Sequence, residues 1–234
     1  MATNDTQRKN EDLTLSHKLI MFVQKNRRPL FIGLIAMLVI LAGFIIVTTV
    51  TEKNQANAIS KVDEFSRRYT DLRSFMSNEE EQTDLAKQGE IAVLLLELED
   101  FAKRGSGFAA ARAYCISAEI YTQQKKWAEA EAAWSNASKA AGKTYLAPIT
   151  TFNAAVAAEE QGNIQAAIDY YNTALVYGDT FVSASRAQFS IGRLEEERNS
   201  KDAALAAYKT LISRWPQDTV WASLAQNRIL VLSE

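Results

Sequence analysis

The side chains that most often carry enzyme chemistry are scarce in this chain, and those present are not grouped. Its one histidine, His17, precedes a long apolar stretch, and its one cysteine is Cys115. A Ser–His or Cys–His arrangement is therefore excluded beyond that stretch. The acidic runs EEEQTD (79–84) and LEEER (194–198) have helical spacing, and we interpret them as solvated helix faces rather than a catalytic carboxylate pair. The sequence predicts no enzyme.

Signatures of cofactor, metal and nucleic-acid binding are also missing from the sequence. It contains no CxxC pair, no glycine-rich phosphate loop and no metal-ligand spacing. Its 26 basic and 28 acidic residues give a formal charge of −2, and the basic residues do not cluster. The lone Cys115 excludes an internal disulfide and is interpreted as a buried structural cysteine rather than a reactive thiol. We expect no cofactor, no metal, no nucleic acid and no small-molecule substrate.

An uncharged apolar segment, LFIGLIAMLVILAGFIIVTTV, occupies residues 30–50. At 1.5 Å per residue a helix of this length spans about 31 Å, which matches a hydrocarbon core of roughly 30 Å. The alternative is a cleaved signal peptide, because ANA at 56–58 resembles a cleavage site. The apolar run is longer than the usual hydrophobic region of a signal peptide, which favours an uncleaved transmembrane helix.

The charges flanking this segment indicate its orientation. Lys25, Arg27 and Arg28 crowd its N-terminal side, whereas Glu52 and Lys53 follow it. Because positively charged flanks stay in the cytoplasm, residues 1–29 are predicted to form a cytoplasmic tail. The chain from residue 51 onward is predicted to lie across the membrane.

A helical neck or hairpin is predicted over residues 51–104. Apolar residues recur here at helical spacing, and the first of them form the stripe Val62, Phe65, Tyr69, Leu72 and Met76. The segment RGSG at 104–107 marks the end of the second helix. We expect this stripe to pack on the next helix, LAKQGEIAVLLLELEDFAKR, which is apolar enough to be covered on two sides. A short dimeric coiled coil is the alternative.

Residues 105–234 contain a pattern that repeats every 37 residues and predicts stacked helical hairpins. The hairpins lie near 109–140, 148–177 and 182–213, with polar turns QQKK, EQGN and RNSK between their helices. Pro148 and Pro216 stand where a helix could begin. The matching positions are Ala118, Ala155 and Gly192; Ala130, Ala167 and Ala204; Trp134, Tyr171 and Tyr208; and Ala137, Ala174 and Leu211.

The small residues in this pattern predict close helix packing, with each ring filling the space between neighbouring hairpins. Trp134 should therefore pack against the repeats. The final segment, VWASLAQNRILVL, is predicted to be a helix that caps the last open face, or alternatively a helix that docks a partner. The expected fold is all-α: one N-terminal transmembrane helix, a neck, and a short solenoid with a capping helix.

At these positions the sequence resembles the tetratricopeptide repeat family. It departs from that family in having 37 rather than 34 residues per unit, and in having Gln188 and Glu195 where aromatic residues are common. The resemblance implies a protein-binding groove lined by the first helix of each unit. Its predicted residues are Arg112, Glu119, Phe152, Val156, Glu159, Arg186, Phe189 and Arg193. The alternative is that Phe152 and Phe189 are core residues.

The overall layout resembles the ancillary SecYEG translocon subunit family of bacterial inner membranes. This resemblance implies a single-pass protein with its C-terminal domain in the periplasm, acting as an interaction scaffold. Its implied partners are the SecYEG translocon and periplasmic chaperones, with the lipid bilayer contacted through residues 30–50. The tail AYKTLISRWPQDTVWASLAQNRI also resembles periplasmic coordinators of envelope assembly or cell division, which is the alternative function.

Overall fold

The computed structural model describes residues 17–77 and 84–234, and this part of the chain is helical with no strand. The start of the predicted tail and most of the EEEQTD run lie outside the described residues. Residues 17–25 are helical. The helices that follow are α1 (Arg27–Ser77), α2 (Leu85–Arg104), α3 (Gly107–Gln123), α4 (Trp127–Ala141), α5 (Leu146–Glu160), α6 (Ile164–Leu175), a 3₁₀ turn (Gly178–Thr180), α7 (Ala184–Glu197), α8 (Lys201–Arg214) and α9 (Thr219–Ser233).

The chain divides into two compact units, Met1–Ala56 and Asn57–Glu234. Within the described part of the first unit, α1 includes the apolar segment predicted at 30–50, whose side chains are not buried. By length and composition α1 is able to cross a membrane. The structure is therefore consistent with a membrane span near the N-terminus.

The neck stripe packs within the chain, as predicted. Val62 and Phe65 are almost fully buried in a core shared with α2 and α3, and the Phe65 ring lies edge-on to Phe101 with centroids 5.6 Å apart. Ile116 and Ile120 of α3 belong to the same core. The neck and the repeat domain, predicted to be divided after residue 104, therefore share one continuous apolar core.

Helix α2 is covered on one side only, which corrects the expectation that it is sandwiched. Its buried face includes Leu94 and Leu98, both 0 % exposed. On its other face Leu85, Val93 and Leu96 are exposed, and no described residue covers them. A predominantly apolar helix sequence does not show by itself how many faces are covered.

Three hairpins follow: repeat 1 (α3–α4), repeat 2 (α5–α6) and repeat 3 (α7–α8), each packed on the next. Their turns repeat with the predicted 37-residue register. Lys125, Gly162 and Asn199 stand 37 apart, and all three have a left-handed backbone, with φ of 56°, 73° and 62°. Such a conformation is favourable for Gly and tolerated by Asn. The same turn geometry therefore recurs although the residue differs each time.

Close packing of the repeat helices is confirmed. Ala118 and Ala155 on the first helices, and Ala167 and Ala204 on the second helices, are each 0 % exposed. Trp134 is buried and belongs to a small core that joins repeats 1 and 2. The small residues therefore lie where helix approaches helix, as expected from the pattern.

Helix α9 packs on α7 and α8 at the C-terminal end of the stack. Ala225 is fully buried and Trp221 is partly buried, whereas Val220 and Val231 are exposed. The expected helix start at Pro216 is wrong, since this proline lies in the turn after Trp215 and the helix begins at Thr219. Helix α9 thus covers repeat 3 with one face and leaves apolar side chains on its outer face.

Candidate protein-binding groove

The predicted groove residues lie on the first helices α3, α5 and α7, where several of them already have partners. Arg112 donates to Asp63 of the neck across 2.8 Å. Arg193 donates to Glu159, which joins repeat 3 to repeat 2. These charges are therefore partly neutralised within the chain. Glu119 and Arg186 remain exposed.

The two groove phenylalanines differ in their accessibility. Phe152 is only 5 % exposed and packs between Tyr171 and Phe181, with ring centroids 5.2 and 5.9 Å away. The Arg186 guanidinium covers it from outside, 5.1 Å from the ring centroid. Phe152 is therefore a core residue, and the groove surface above it is formed by Arg186. Phe152 and Phe189 occupy matching positions in the 37-residue repeat. The repeat register alone therefore could not show which ring faces the core and which faces the groove.

Phe189 keeps part of its surface accessible. Its ring lies 5.4 Å from Tyr208 and 5.3 Å from Trp221, measured between centroids. It is partly buried and packs against the core of repeats 2 and 3. Of the two rings, only Phe189 offers surface to a partner without rearrangement.

A recurring hydrogen-bonded group, which we call the tyrosine–glutamate–arginine bridge, joins successive repeats. In repeat 2 the Tyr171 hydroxyl donates to Glu159 Oε2 across 3.2 Å, and Arg193 donates to the same carboxylate. The bridge ties the two helices of one hairpin to the first helix of the next.

The second bridge joins repeat 3 to α9. The Tyr208 hydroxyl donates to Glu196, which stands 37 residues after Glu159. Arg228 Nε donates to Glu196 Oε1 across 3.0 Å, and a second nitrogen of Arg228 donates to Oε2. Sequence reasoning identified the tyrosine register but not the shared carboxylate.

In the second bridge the pKa values of Tyr208 and Glu196 shift away from the neutral range. Burial raises the pKa of Tyr208, and the neighbouring Glu196 carboxylate raises it further. The hydrogen bond from Arg228 lowers the pKa of Glu196. At neutral pH this second bridge consists of a neutral phenol, a carboxylate and a guanidinium. It is a structural interaction rather than an acid–base site.

Repeat 1 lacks the bridge. The positions 37 residues before Glu159, Tyr171 and Arg193 are Thr122, Trp134 and Val156. Thr122 has no carboxylate and donates instead to the Ala118 carbonyl of its own helix across 2.7 Å, and the isopropyl group of Val156 cannot replace the guanidinium.

A pocket of ≈ 360 Å³ lies at this position and is lined by all three of these residues. Its remaining wall comes from the neck and from α3, α4 and α5. That wall includes Tyr69, Arg73, Glu119, Trp127 and Asn153. We call this cavity the repeat 1 pocket.

Tyr69, Arg73 and Trp127 are among the wall residues that were not predicted as groove residues. Tyr69 and Arg73 belong to the neck, which the sequence suggested was a separate element. The Tyr69 hydroxyl accepts a hydrogen bond from Gln123 Nε2 across 2.9 Å. The signal that could have located the pocket was in the repeat itself, at Thr122, where the 37-residue series that continues with Glu159 and Glu196 has no carboxylate.

The remaining candidate for chemistry, Cys115, is partly buried, and its surroundings disfavour the reactive thiolate. Burial raises the pKa of its thiol to about 12, with a further contribution from Glu119. Such a thiol is a poor nucleophile at neutral pH. Within residues 17–77 and 84–234, no group of three or more His, Cys, Asp or Glu residues could hold a metal ion.

Together these features define a class of protein: a stack of helical hairpins in which each repeat contacts its neighbours. Comparison with known proteins then specifies the family of the repeats. The tetratricopeptide repeat family model matches residues 117–181 and 152–219. Residues 117–219 therefore carry tetratricopeptide repeats, and such repeats indicate a protein-interaction scaffold.

The chain is also similar to a protein described as a TPR repeat-containing protein from Treponema pallidum (strain Nichols). The two are 36 % identical over 127 residues, which is 54 % of this chain and 52 % of that relative. The similarity thus spans about half the length of each protein.

Proposed function

We propose that this protein is a membrane-anchored interaction scaffold whose repeat unit faces the periplasm of a bacterial inner membrane. The observation that carries the proposal is the combination, in one chain, of tetratricopeptide repeats with an unburied apolar helix long enough to span a bilayer. The orientation is supported by Lys25, Arg27 and Arg28 on the N-terminal side of that helix.

We further propose that the scaffold is an accessory of the Sec translocon and the periplasmic chaperone network. Support comes from the layout of tail, span, neck and repeats, which resembles ancillary translocon subunits. The repeats would hold segments of partner proteins in the groove formed by α3, α5 and α7. Exposed groove residues such as Glu119 and Arg186, together with the accessible part of Phe189, would make the contacts.

Orientation is tested with alkaline phosphatase fused after Glu234 and expressed in a bacterial host. The fusion should be active and remain in the membrane pellet, since this enzyme needs the periplasm to mature. An inactive fusion would reverse the orientation. A soluble fragment beginning near Ile59 would show that the apolar segment is cleaved instead of retained.

Partner identity is tested by placing a photo-crosslinking amino acid at Arg186 in native membranes, followed by mass spectrometry. The matched control places it at Asn172, which is exposed on α6. Translocon subunits and periplasmic chaperones should be recovered from position 186 and not from position 172. Recovery of envelope-assembly or division proteins instead would favour the alternative function. Equal recovery from both positions would rule out the groove.

A further inference from the structure

The repeat 1 pocket is the place where the periodic structure of this protein is interrupted. Repeats 2 and 3 each place a carboxylate, Glu159 or Glu196, against an arginine and a tyrosine. At the matching positions stand Thr122 and Trp134 of repeat 1 and Val156 of repeat 2, and a cavity of ≈ 360 Å³ lies there. The pocket therefore coincides with the position at which the bridge is missing.

The walls of this pocket are chemically suited to an apolar side chain. Trp127, Trp134 and Val156 contribute rings and a branched aliphatic group. Ligand pockets commonly measure roughly 300–1,000 Å³, so this one is at the small end. It has room for one or two side chains of a partner segment, whereas a folded element is too large for it.

Two side chains of opposite charge, Glu119 and Arg73, stand at the rim of the pocket. The Glu119 carboxylate lies beside the Tyr69 hydroxyl. The pKa of Tyr69 is raised mainly by burial and, as the second cause, by Glu119. Arg73 is exposed at the rim, and within the described residues it forms no ion pair. The rim thus carries one charge of each sign, and Arg73 is the one available to pair with a partner carboxylate.

We propose that the repeat 1 pocket binds a partner protein segment in which a large apolar side chain, most favourably aromatic, stands next to an acidic residue. The apolar side chain enters between Trp127, Trp134 and Val156, and the carboxylate pairs with Arg73. This inference rests on the proposed scaffold function and specifies which part of the groove recognises the partner. Aromatic anchors in desolvated pockets commonly dominate such interfaces.

The pocket is tested with fluorescein-labelled, end-blocked peptides and the full-length protein in detergent micelles, measured by fluorescence anisotropy. The parent peptide is Ser-Gly-Glu-Phe-Gly-Ser. One comparison peptide replaces Phe with Ala, and another replaces Glu with Lys. The parent peptide should bind at least tenfold more tightly than the Ala peptide, and several-fold more tightly than the Lys peptide.

A double variant, Thr122→Glu with Val156→Arg, should place a carboxylate and a guanidinium at the positions that match Glu159 and Arg193, and should thereby close the pocket. Its affinity for the parent peptide should fall at least tenfold. The matched control, Thr173→Glu with Val176→Arg, introduces the same residue types at exposed positions away from the pocket and should bind like the unmodified protein. Circular dichroism verifies that both variants remain helical.

Arg73→Ala provides a second test that leaves the core untouched, because Arg73 is exposed. It should abolish the preference for the Glu peptide over the Lys peptide while retaining the preference for Phe over Ala. The proposal is overturned if the pocket-closing variant binds like the parent, if the three peptides bind alike, or if none binds at about 1 mM.

The two proposals can fail separately. The first case is tested with the crosslinker at position 186 of the pocket-closing variant. If this variant captures the same partners as the protein with an open pocket, the scaffold function stands and the pocket is not the recognition site. If the unmodified protein captures no partner in membranes although the peptides bind selectively, the pocket stands and the proposed function fails.

Discussion

Replacing Gly192 with alanine is expected to destabilise the repeat unit, against the usual effect of this substitution in a helix. Gly192 lies within α7, where alanine is normally favoured over glycine by up to about 1 kcal/mol. A methyl group at this position, however, would lie 2.5, 2.7 and 2.8 Å from the Cε1, Cζ and Cδ1 atoms of Tyr208. Carbon atoms normally pack at about 3.5–4.0 Å.

The Tyr208 ring has little freedom to move away from such a methyl group. It is 0 % exposed, its hydroxyl donates to Glu196, and its other neighbours include Phe189 with a centroid distance of 5.4 Å. Overpacking a rigid core costs about 1–3 kcal/mol, and here we take the upper end. Subtracting the gain in helix propensity leaves a net loss of about 2 kcal/mol.

Gly89→Ala is the matched control. Gly89 also lies within a helix, α2, but a methyl group added there would meet no atom within 4 Å. That variant should gain about 0.5–1 kcal/mol. Urea unfolding of residues 57–234 followed by circular dichroism would compare the two, with unchanged denaturant slopes as the check on two-state behaviour. If Gly192→Ala is stabilised as much as Gly89→Ala, the close approach of Tyr208 to α7 is wrong.

Three further predictions concern the repeats. Ala167→Leu and Ala204→Leu should each lower the free energy of unfolding by about 1–3 kcal/mol in the same urea assay, because both alanines are 0 % exposed at matching helix contacts; parent-like midpoints for both would contradict the register. Lys125→Gly should raise the free energy of unfolding by up to about 1 kcal/mol, because Lys125 has the left-handed backbone that Gly adopts freely, and a loss would show that the turn differs. Cys115 should react with a chromogenic disulfide reagent at pH 8 at least about 100-fold more slowly in the folded protein than in urea. The reason is that its thiol pKa is raised to about 12, and equal rates would contradict the burial that raises it.

The sequence alone was sufficient for the helical hairpins and their register. Small residues and rings at a 37-residue spacing predicted hairpins near 109–140, 148–177 and 182–213, and the structure places helices at all three. Such predictions succeed because each helix carries its own periodic signal and each turn its own polar residues. The helix that contains the apolar segment at 30–50 could be predicted equally well, since the length of the segment and its lack of charge are local properties.

The tertiary structure alone decided which side chains remain available to a partner. Phe152 and Phe189 occupy matching places in the repeat, yet Phe152 is buried by Phe181 and covered by Arg186, whereas Phe189 keeps an accessible edge. The repeat 1 pocket likewise depends on Tyr69, which lies 53 positions before Thr122 in the chain and reaches the groove only because the neck packs on α3. Burial and pocket formation depend on contacts between residues far apart in sequence, and the spacing of residues within one helix carries no record of those contacts.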